Sequence, residues 1–296
     1  MNSQQTIRYP ATWEANLLAG SLLIVLIIGA GILSLFFDLS IVLVVGQLIV
    51  IVPALLWIAV RRLPLQTTLR LHPISLRTAL WSVLIGLACW PIVAGIPTLL
   101  EKLMSLIGPY PATPLPKNLT ESAMYALTFV VLAPLTEEPI YRGFILQAWL
   151  RRGKWVGIVA SGILFGLLHS QIAPLLPLTF FGIVLGILAY RGRSVLSSIL
   201  AHASYNAAAT LFVVLPSLQE TQEEFFIIAG LAALPIAALL LWLFIRKNPL
   251  SSSDIPPQET SSWLWPIISF LVVFGLFGLM AILEVIMRLY PNLKSM

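Results

Sequence analysis

Apolar residues run along this chain in blocks, each close to the length of a membrane-crossing helix and separated by short polar stretches. Such a helix needs about 20 largely apolar residues. Nine blocks qualify: 17–37, 41–60, 78–100, 122–148, 155–171, 174–190, 195–215, 225–245 and 264–287. The fifth and sixth are short and parted only by Ser170-Gln-Ile-Ala-Pro174, so they form either two spans or a re-entrant pair. The fourth is apolar at both ends and charged in the middle. The pattern predicts an all-α polytopic transmembrane helical bundle of eight to nine spans, with a buried polar site between the central helices.

Composition sharpens that reading. Of 296 residues, 59% are hydrophobic and 10% charged, and the mean hydropathy is +0.96. A soluble domain carries about 25% charged residues. This much apolar surface excludes a soluble globule, and nothing in the pattern points to nucleic acid as a partner. The single cysteine, Cys89, lies in an apolar run and excludes an internal disulfide or a thiolate metal cluster.

The basic residues set an orientation. With nine spans and the N-terminus inside, twelve Lys and Arg residues fall in inside segments and four in outside segments. The positive-inside rule therefore places the N-terminus of this multi-pass protein in the cytoplasm and its C-terminus outside. Two stretches read as linkers. Pro109–Pro116 is proline-rich and extended, and the polar stretch 248–262 reads as disordered. The latter sets span nine apart, as a helix peripheral to any active core.

The charged middle of span four is Thr136-Glu137-Glu138-Pro139-Ile140-Tyr141-Arg142-Gly143. A charge at bilayer depth costs from a few to more than ten kcal/mol, so such groups face protein or water. Glu138 and Arg142, four apart on a helix, lie on one face and pair. An ion pair that locks packing accounts for both. It does not account for Glu137, which points about 100° away and has no local partner. Pro134 and Pro139 bring no amide hydrogen, leaving the carbonyls of Val130 and Leu135 unpaired and the helix weakened beside Glu137.

Of the three histidines, His72 reads as a solvated loop residue. His169 ends span five in Phe165-Gly-Leu-Leu-His169, and His202 and Asn206 lie one turn apart on one face of span seven. Taken singly, each reads as well as an interfacial or interhelical hydrogen-bonding group. Counted from the basic ends at about 1.5 Å per residue, Glu137 and His169 lie roughly 20 Å deep and His202 roughly 13 Å, compatible with one shared layer.

Together, Glu137-Glu138-x-x-x-Arg142, Phe165-x-x-x-His169 and His202-x-x-x-Asn206 resemble the three motifs of the CPBP family of intramembrane proteases, the type II CAAX prenyl endopeptidases and bacteriocin-processing (Abi) proteins. The motifs occur in the family's order over roughly residues 120–215. The resemblance divides the chain into N-terminal membrane helices (1–121), catalytic core helices (122–215) and C-terminal membrane helices (216–296) joined by the 248–262 linker. It implies an intramembrane endopeptidase acting on a hydrophobic or lipidated peptide or protein among membrane lipids. Such a reaction needs a water, a base and oxyanion donors. Glu137 is the candidate base and His169 would co-orient the water. His202 and Asn206 would hold the oxyanion, and Glu138, Arg142 and Phe165 would support the site.

The family has been described both as metallopeptidases and as metal-independent glutamate proteases. Zinc is a candidate cofactor, with Glu137, His169 and His202 as candidate ligands. The His-Glu-x-x-His spacing is absent from the sequence, and a carboxylate, imidazoles and an amide also suffice without metal. The alternative class is an ion- or proton-coupled transporter or a non-enzymatic scaffold. It is disfavoured because no internal repeat is readable and the polar residues cluster in three motifs. The pattern fixes neither the substrate's identity nor the oligomeric state.

Overall fold

The computed structural model describes residues 9–106, 108, 115–219, 223–251, 254 and 256–290, and among these it is helical with no strand. Nine long helices follow the nine apolar blocks: α1 (Thr12–Ser34), α2 (Leu39–Arg61), α3 (Leu76–Met104), α4 (Leu119–Leu150), α5 (Lys154–Leu168), α6 (Ile172–Gly192), α7 (Val195–Val214), α8 (Glu223–Lys247) and α9 (Leu264–Leu289). Seven are long and apolar enough to cross a membrane. The other two are α5, of 15 residues, and α7, of 20 residues, which carries His202, Tyr205, Asn206 and several serines. These are two of the three helices that bear the motifs.

The basic ends of the helices meet on one side of the bundle. Glu14 pairs with Arg61 at 2.6 Å. Arg151 Nη1 donates to the Pro10 carbonyl at 3.3 Å, and the Val195 amide donates to the Arg70 carbonyl at 3.1 Å. His72 is exposed at this end, and its carbonyl accepts from Ser194 Oγ. Arg8 and Lys294, used in the sequence count, lie outside the described residues, as do most of Pro109–Pro116 and part of the acidic stretch 219–224.

Helix α4 is the axis of the fold. Asn118 caps it, accepting from the Glu121 amide at 2.9 Å, while Glu121 accepts from the Lys117 amide and the Asn118 side chain. Its residues 136–150 are all buried. The expected weakening at the prolines takes another form. The helix continues through two π-helical turns, Leu127–Leu132 and Pro139–Ile145, on either side of the α-helical segment Ala133–Glu138. A widened turn absorbs a missing amide hydrogen by shifting the pairing to the fifth residue, so no break is needed.

Helices α5 and α6 pack closely as a hairpin. A Cβ on Gly182 would stand 2.9 Å from the Gly162 Cα, so only glycine allows the two backbones this approach.

Helix α9 packs on α1, where Asn16 donates to the Pro266 carbonyl at 2.9 Å and accepts from Trp149 Nε1 on α4 at 3.0 Å. One expectation about the C-terminal part fails. The described part of 248–262 is docked. Arg152 donates to the Ser261 carbonyl at 2.6 Å and pairs with Glu259 at 3.1 Å, and the Glu259 amide donates to the Arg151 carbonyl at 2.9 Å. The composition suggested disorder because the linker is polar, but the arginines that end α4 supply donors to its carbonyls.

Candidate active site

Glu138 and Arg142 form the base of the site. Both are fully buried, with Arg142 Nε 3.3 Å from Glu138 Oε2. The expected pair is present, and each partner has a second task. Glu138 Oε1 accepts from His202 Nδ1 at 2.9 Å. Arg142 Nη2 donates to the Gly182 carbonyl at 3.2 Å, and its guanidinium lies 4.4 Å from the centre of the Phe165 ring. One ion pair on α4 thus anchors α6, α7 and the Phe165 turn of α5. Phe165 also packs edge-on against both histidines, with ring centres 5.3 Å from His169 and 5.8 Å from His202.

Above this base lies a cavity of about 170 Å³. Glu137, His169, His202 and Asn206 all line it, from α4, α5 and α7. Leu26, Phe129, Leu178 and Phe181 supply apolar walls. Glu137 and His202 are buried, Asn206 is half-buried and His169 is exposed.

Glu137 has a partner that the sequence reading did not find. Gln47, on α2, donates from Nε2 to Glu137 Oε1 at 3.0 Å. The Gln47 carbonyl oxygen is in turn 3.0 Å from Thr136 Oγ1, which donates to it or to the Leu132 carbonyl. The only signal in the sequence is a lone amide inside the apolar run 41–60.

Both histidines have Nδ1 committed. His169 Nδ1 is 3.1 Å from the Phe165 carbonyl. A carbonyl only accepts, so the proton sits on Nδ1 and Nε2 is left for another partner. The carboxylate of Glu138 fixes Nδ1 of His202 in the same way. Asn206 Nδ2 donates to the Phe129 carbonyl at 2.6 Å. That carbonyl is available for a structural reason. The turn Leu127–Leu132 pairs each amide with the fifth residue before it, as Ala133 does with Thr128. Pro134 would pair with Phe129 but has no amide hydrogen. In the α-helical register of the sequence reading, Val130 was the carbonyl left over, and the π turn moves the vacancy by one residue. His202 and Asn206 therefore do not present all their donors to the cavity: each has one N–H committed elsewhere.

Among the described residues no group of three His, Cys, Asp or Glu side chains is placed to hold a metal ion, and this includes Glu137, His169 and His202. Cys89 is buried and does not line the cavity.

Residues 119–208 match the family described as Type II CAAX prenyl endopeptidase Rce1-like. The matched segment is Rce1-like. It contains all three motifs and every lining residue named above from α4, α5, α6 and α7, whereas Leu26 and Gln47 lie outside it. The chain is also 29% identical over 102 residues to an "Uncharacterized 24.3 kDa protein" of Escherichia coli, a match that covers 32% of this chain and 47% of that relative. The chain thus spans about half the length of the curated relative it matches. No solved structure matches.

Proposed function

We propose that the protein is an intramembrane endopeptidase that hydrolyses a peptide bond within an apolar or lipidated polypeptide, with Glu137 as the base. The observation that carries this reading is the gathering of Glu137, His169, His202 and Asn206 from three helices around one small cavity. In this reading residues 122–215 are the catalytic core, and the flanking helices 1–121 and 216–296 support it.

A water held between Glu137 and His169 Nε2 loses a proton to Glu137 as its oxygen bonds to the scissile carbonyl carbon. The carbonyl oxygen becomes an oxyanion. It is met by the uncommitted N–H of Asn206, beside the His202 ring that Glu138 holds through Nδ1. The C–N bond then breaks, and Glu137 returns its proton to the leaving amine. Every proton in the cycle is accounted for by protein groups and the attacking water. Arg142 holds Glu138 while Glu138 holds His202, so the ion pair works through position.

The test is cleavage of fluorogenic apolar and prenylated peptides by the purified protein in detergent, without an ion gradient. Wild type should cleave. Glu137→Gln, which keeps the side-chain shape, should lose at least about 100-fold in kcat, the low end for a general base. Equal rates for the two proteins would remove Glu137 from the mechanism. A well-folded wild type that cleaved nothing in a broad panel would favour the transporter or scaffold reading.

A further inference from the structure

Glu138 is a fully buried carboxylate, so its lone pairs must be met by donors from the protein. Two donors are described above. His202 Nδ1 is 2.9 Å from Oε1, and Arg142 Nε is 3.3 Å from Oε2. A carboxylate offers about four acceptor sites. The Arg142 contact is also longer than the roughly 2.7–2.9 Å of a good charge-assisted bond. That guanidinium is divided between Glu138, the Gly182 carbonyl and the face of Phe165. The pair with Arg142 and the bond from His202 therefore leave Glu138 short of donors.

A third donor stands on α7. Ser198 is fully buried and precedes His202 by four residues, so the two lie one turn apart on one face. Its hydroxyl is within hydrogen-bonding reach of the Glu138 carboxylate. Its Oγ is also 2.9 Å from the Val195 carbonyl, the local acceptor that a helical serine finds by default. A serine hydroxyl has one hydrogen, which rotates to suit its neighbours. A hydrogen bond to an ionised acceptor is roughly twice as strong as one to a neutral carbonyl, which favours Glu138.

The place of Ser198 on α7 makes that bond a fixed point. The first turn of α7 is tied down: Ser194 Oγ accepts from the Leu196 amide and donates to the His72 carbonyl, and the Val195 amide donates to the Arg70 carbonyl at 3.1 Å. One turn further along, Ser198 meets Glu138, and one turn beyond that His202 meets it. A carboxylate held by His202 alone on this side can turn together with the imidazole. Held at two points of one anchored helix it cannot, so Nδ1 of His202 stays committed and the ring keeps its place on the cavity wall. The serines of α7 are not interchangeable in this respect. Ser204 donates to the Val83 or Ala201 carbonyl.

We infer that Ser198 is a further positioning residue of the site: its hydroxyl donates to Glu138 and, through that carboxylate, fixes His202 on the wall of the cavity. The consequence for turnover rests on the endopeptidase reading. The bond between Ser198 and Glu138 does not.

A double-mutant cycle on the protein purified in detergent tests both parts. Ser198→Ala removes only the hydroxyl. A hydrogen bond to a charged group is worth roughly 10- to 150-fold in an equilibrium, against about 2- to 13-fold for a neutral pair. Ser198→Ala should therefore lower the thermal midpoint of the wild type, and lower it much less in a Glu138→Gln background, where the acceptor is neutral. Where Glu138→Gln does not fold, Glu138→Asp, whose shorter arm withdraws the carboxylate from Ser198, takes its place in the cycle. Ser204→Ala is the comparison, and its effect should be the same in both backgrounds. If Ser198→Ala also cost the same in both, its bond would end on the Val195 carbonyl and the inference would be overturned. In the cleavage assay Ser198→Ala should lower kcat by about 10-fold or more with little change in KM, and Ser198→Thr, which keeps the hydroxyl, should recover most of it. A wild-type kcat in Ser198→Ala would overturn the positioning role even with the coupling present. If the wild type cleaved nothing, the protease reading would fail on the kcat arm, and the thermal midpoints would still decide the bond.

Discussion

Gln47 donates a hydrogen bond to Glu137 across 3.0 Å, from a helix ninety positions earlier in the chain. The bond joins a residue outside the Rce1-like segment to the carboxylate on which the proposed chemistry turns. A carboxylate that must take a proton from one water benefits from having its other oxygen fixed. A hydrogen bond to a charged group is worth about 1.5–3 kcal/mol, or roughly 10- to 150-fold in an equilibrium or rate. Gln47→Leu should therefore lower kcat by about that factor with little change in KM. Gln47→Asn, which keeps the amide on a shorter arm, should recover part of the loss. A substitution that only loosened packing would show no such recovery.

The fully buried pair of Glu138 and Arg142 makes a second, separable prediction. Removing one partner of a buried ion pair strands the other, at a cost of about 3–5 kcal/mol. Arg142→Ala should lower the thermal midpoint sharply or prevent folding. Glu138→Gln keeps the shape and an acceptor for His202 Nδ1 but removes the charge beside the imidazole. It also leaves Arg142 without its counter-charge, so the thermal midpoint should fall as well; Glu138→Asp, which keeps the charge on a shorter arm, should recover most of the stability but less of kcat. Recovery of stability and kcat in equal measure in Glu138→Asp would mean that Glu138 acts only in packing.

The parts of this site that were legible in the sequence were those with an extreme local contrast. Glu137, Glu138 and Arg142 interrupt an apolar run, His169 ends an apolar helix, and His202 and Asn206 stand one turn apart on one face of α7. Burying such groups is costly, and that cost makes them readable. Gln47 was missed because one neutral amide in an apolar span looks the same whether it holds two helices together or a reacting group. The π turns were hidden because a proline shows which donor is missing but not how the neighbouring turns re-pair. The docking of 256–262 was missed because its carbonyls accept from Arg151 and Arg152 about a hundred positions earlier, and composition carries no trace of such distant partners.

Pro134 leads to a third prediction. Its lack of an amide hydrogen leaves the Phe129 carbonyl to Asn206, which donates to it at 2.6 Å. Pro134→Ala restores a backbone donor within reach of that carbonyl. The helix should be preserved or slightly strengthened, while Asn206 loses its fixed partner and with it the orientation of its second N–H. The expected result is a folded protein with an unchanged or higher thermal midpoint and a kcat reduced by about 2- to 13-fold, since a net hydrogen bond contributes about 0.5–1.5 kcal/mol. Equal kcat would mean that Asn206 needs no help from Phe129.

Glu284 carries the last prediction, and it reaches the site from the far end of α9. Its Oε2 accepts from the Ile172 amide at 2.9 Å, capping the first turn of α6, and its other oxygen pairs with Arg288. The loop it holds begins at His169 and includes Ser170 in a left-handed conformation at φ +56°. A non-glycine residue at positive φ is uncommon and needs support from its surroundings. Losing a helix cap costs about 0.5–2 kcal/mol, which is roughly 2- to 30-fold in a local opening equilibrium. Glu284→Ala should raise amide exchange over 170–173 by that factor and lower kcat through the displaced His169, with the exchange of α7 unchanged. Glu284→Gln keeps an acceptor for the Ile172 amide and should retain most of the protection. If Glu284→Ala left both exchange and kcat as in wild type, α9 would serve the bundle only by packing against α1, and the His169 turn would owe its shape to α5 and α6 alone.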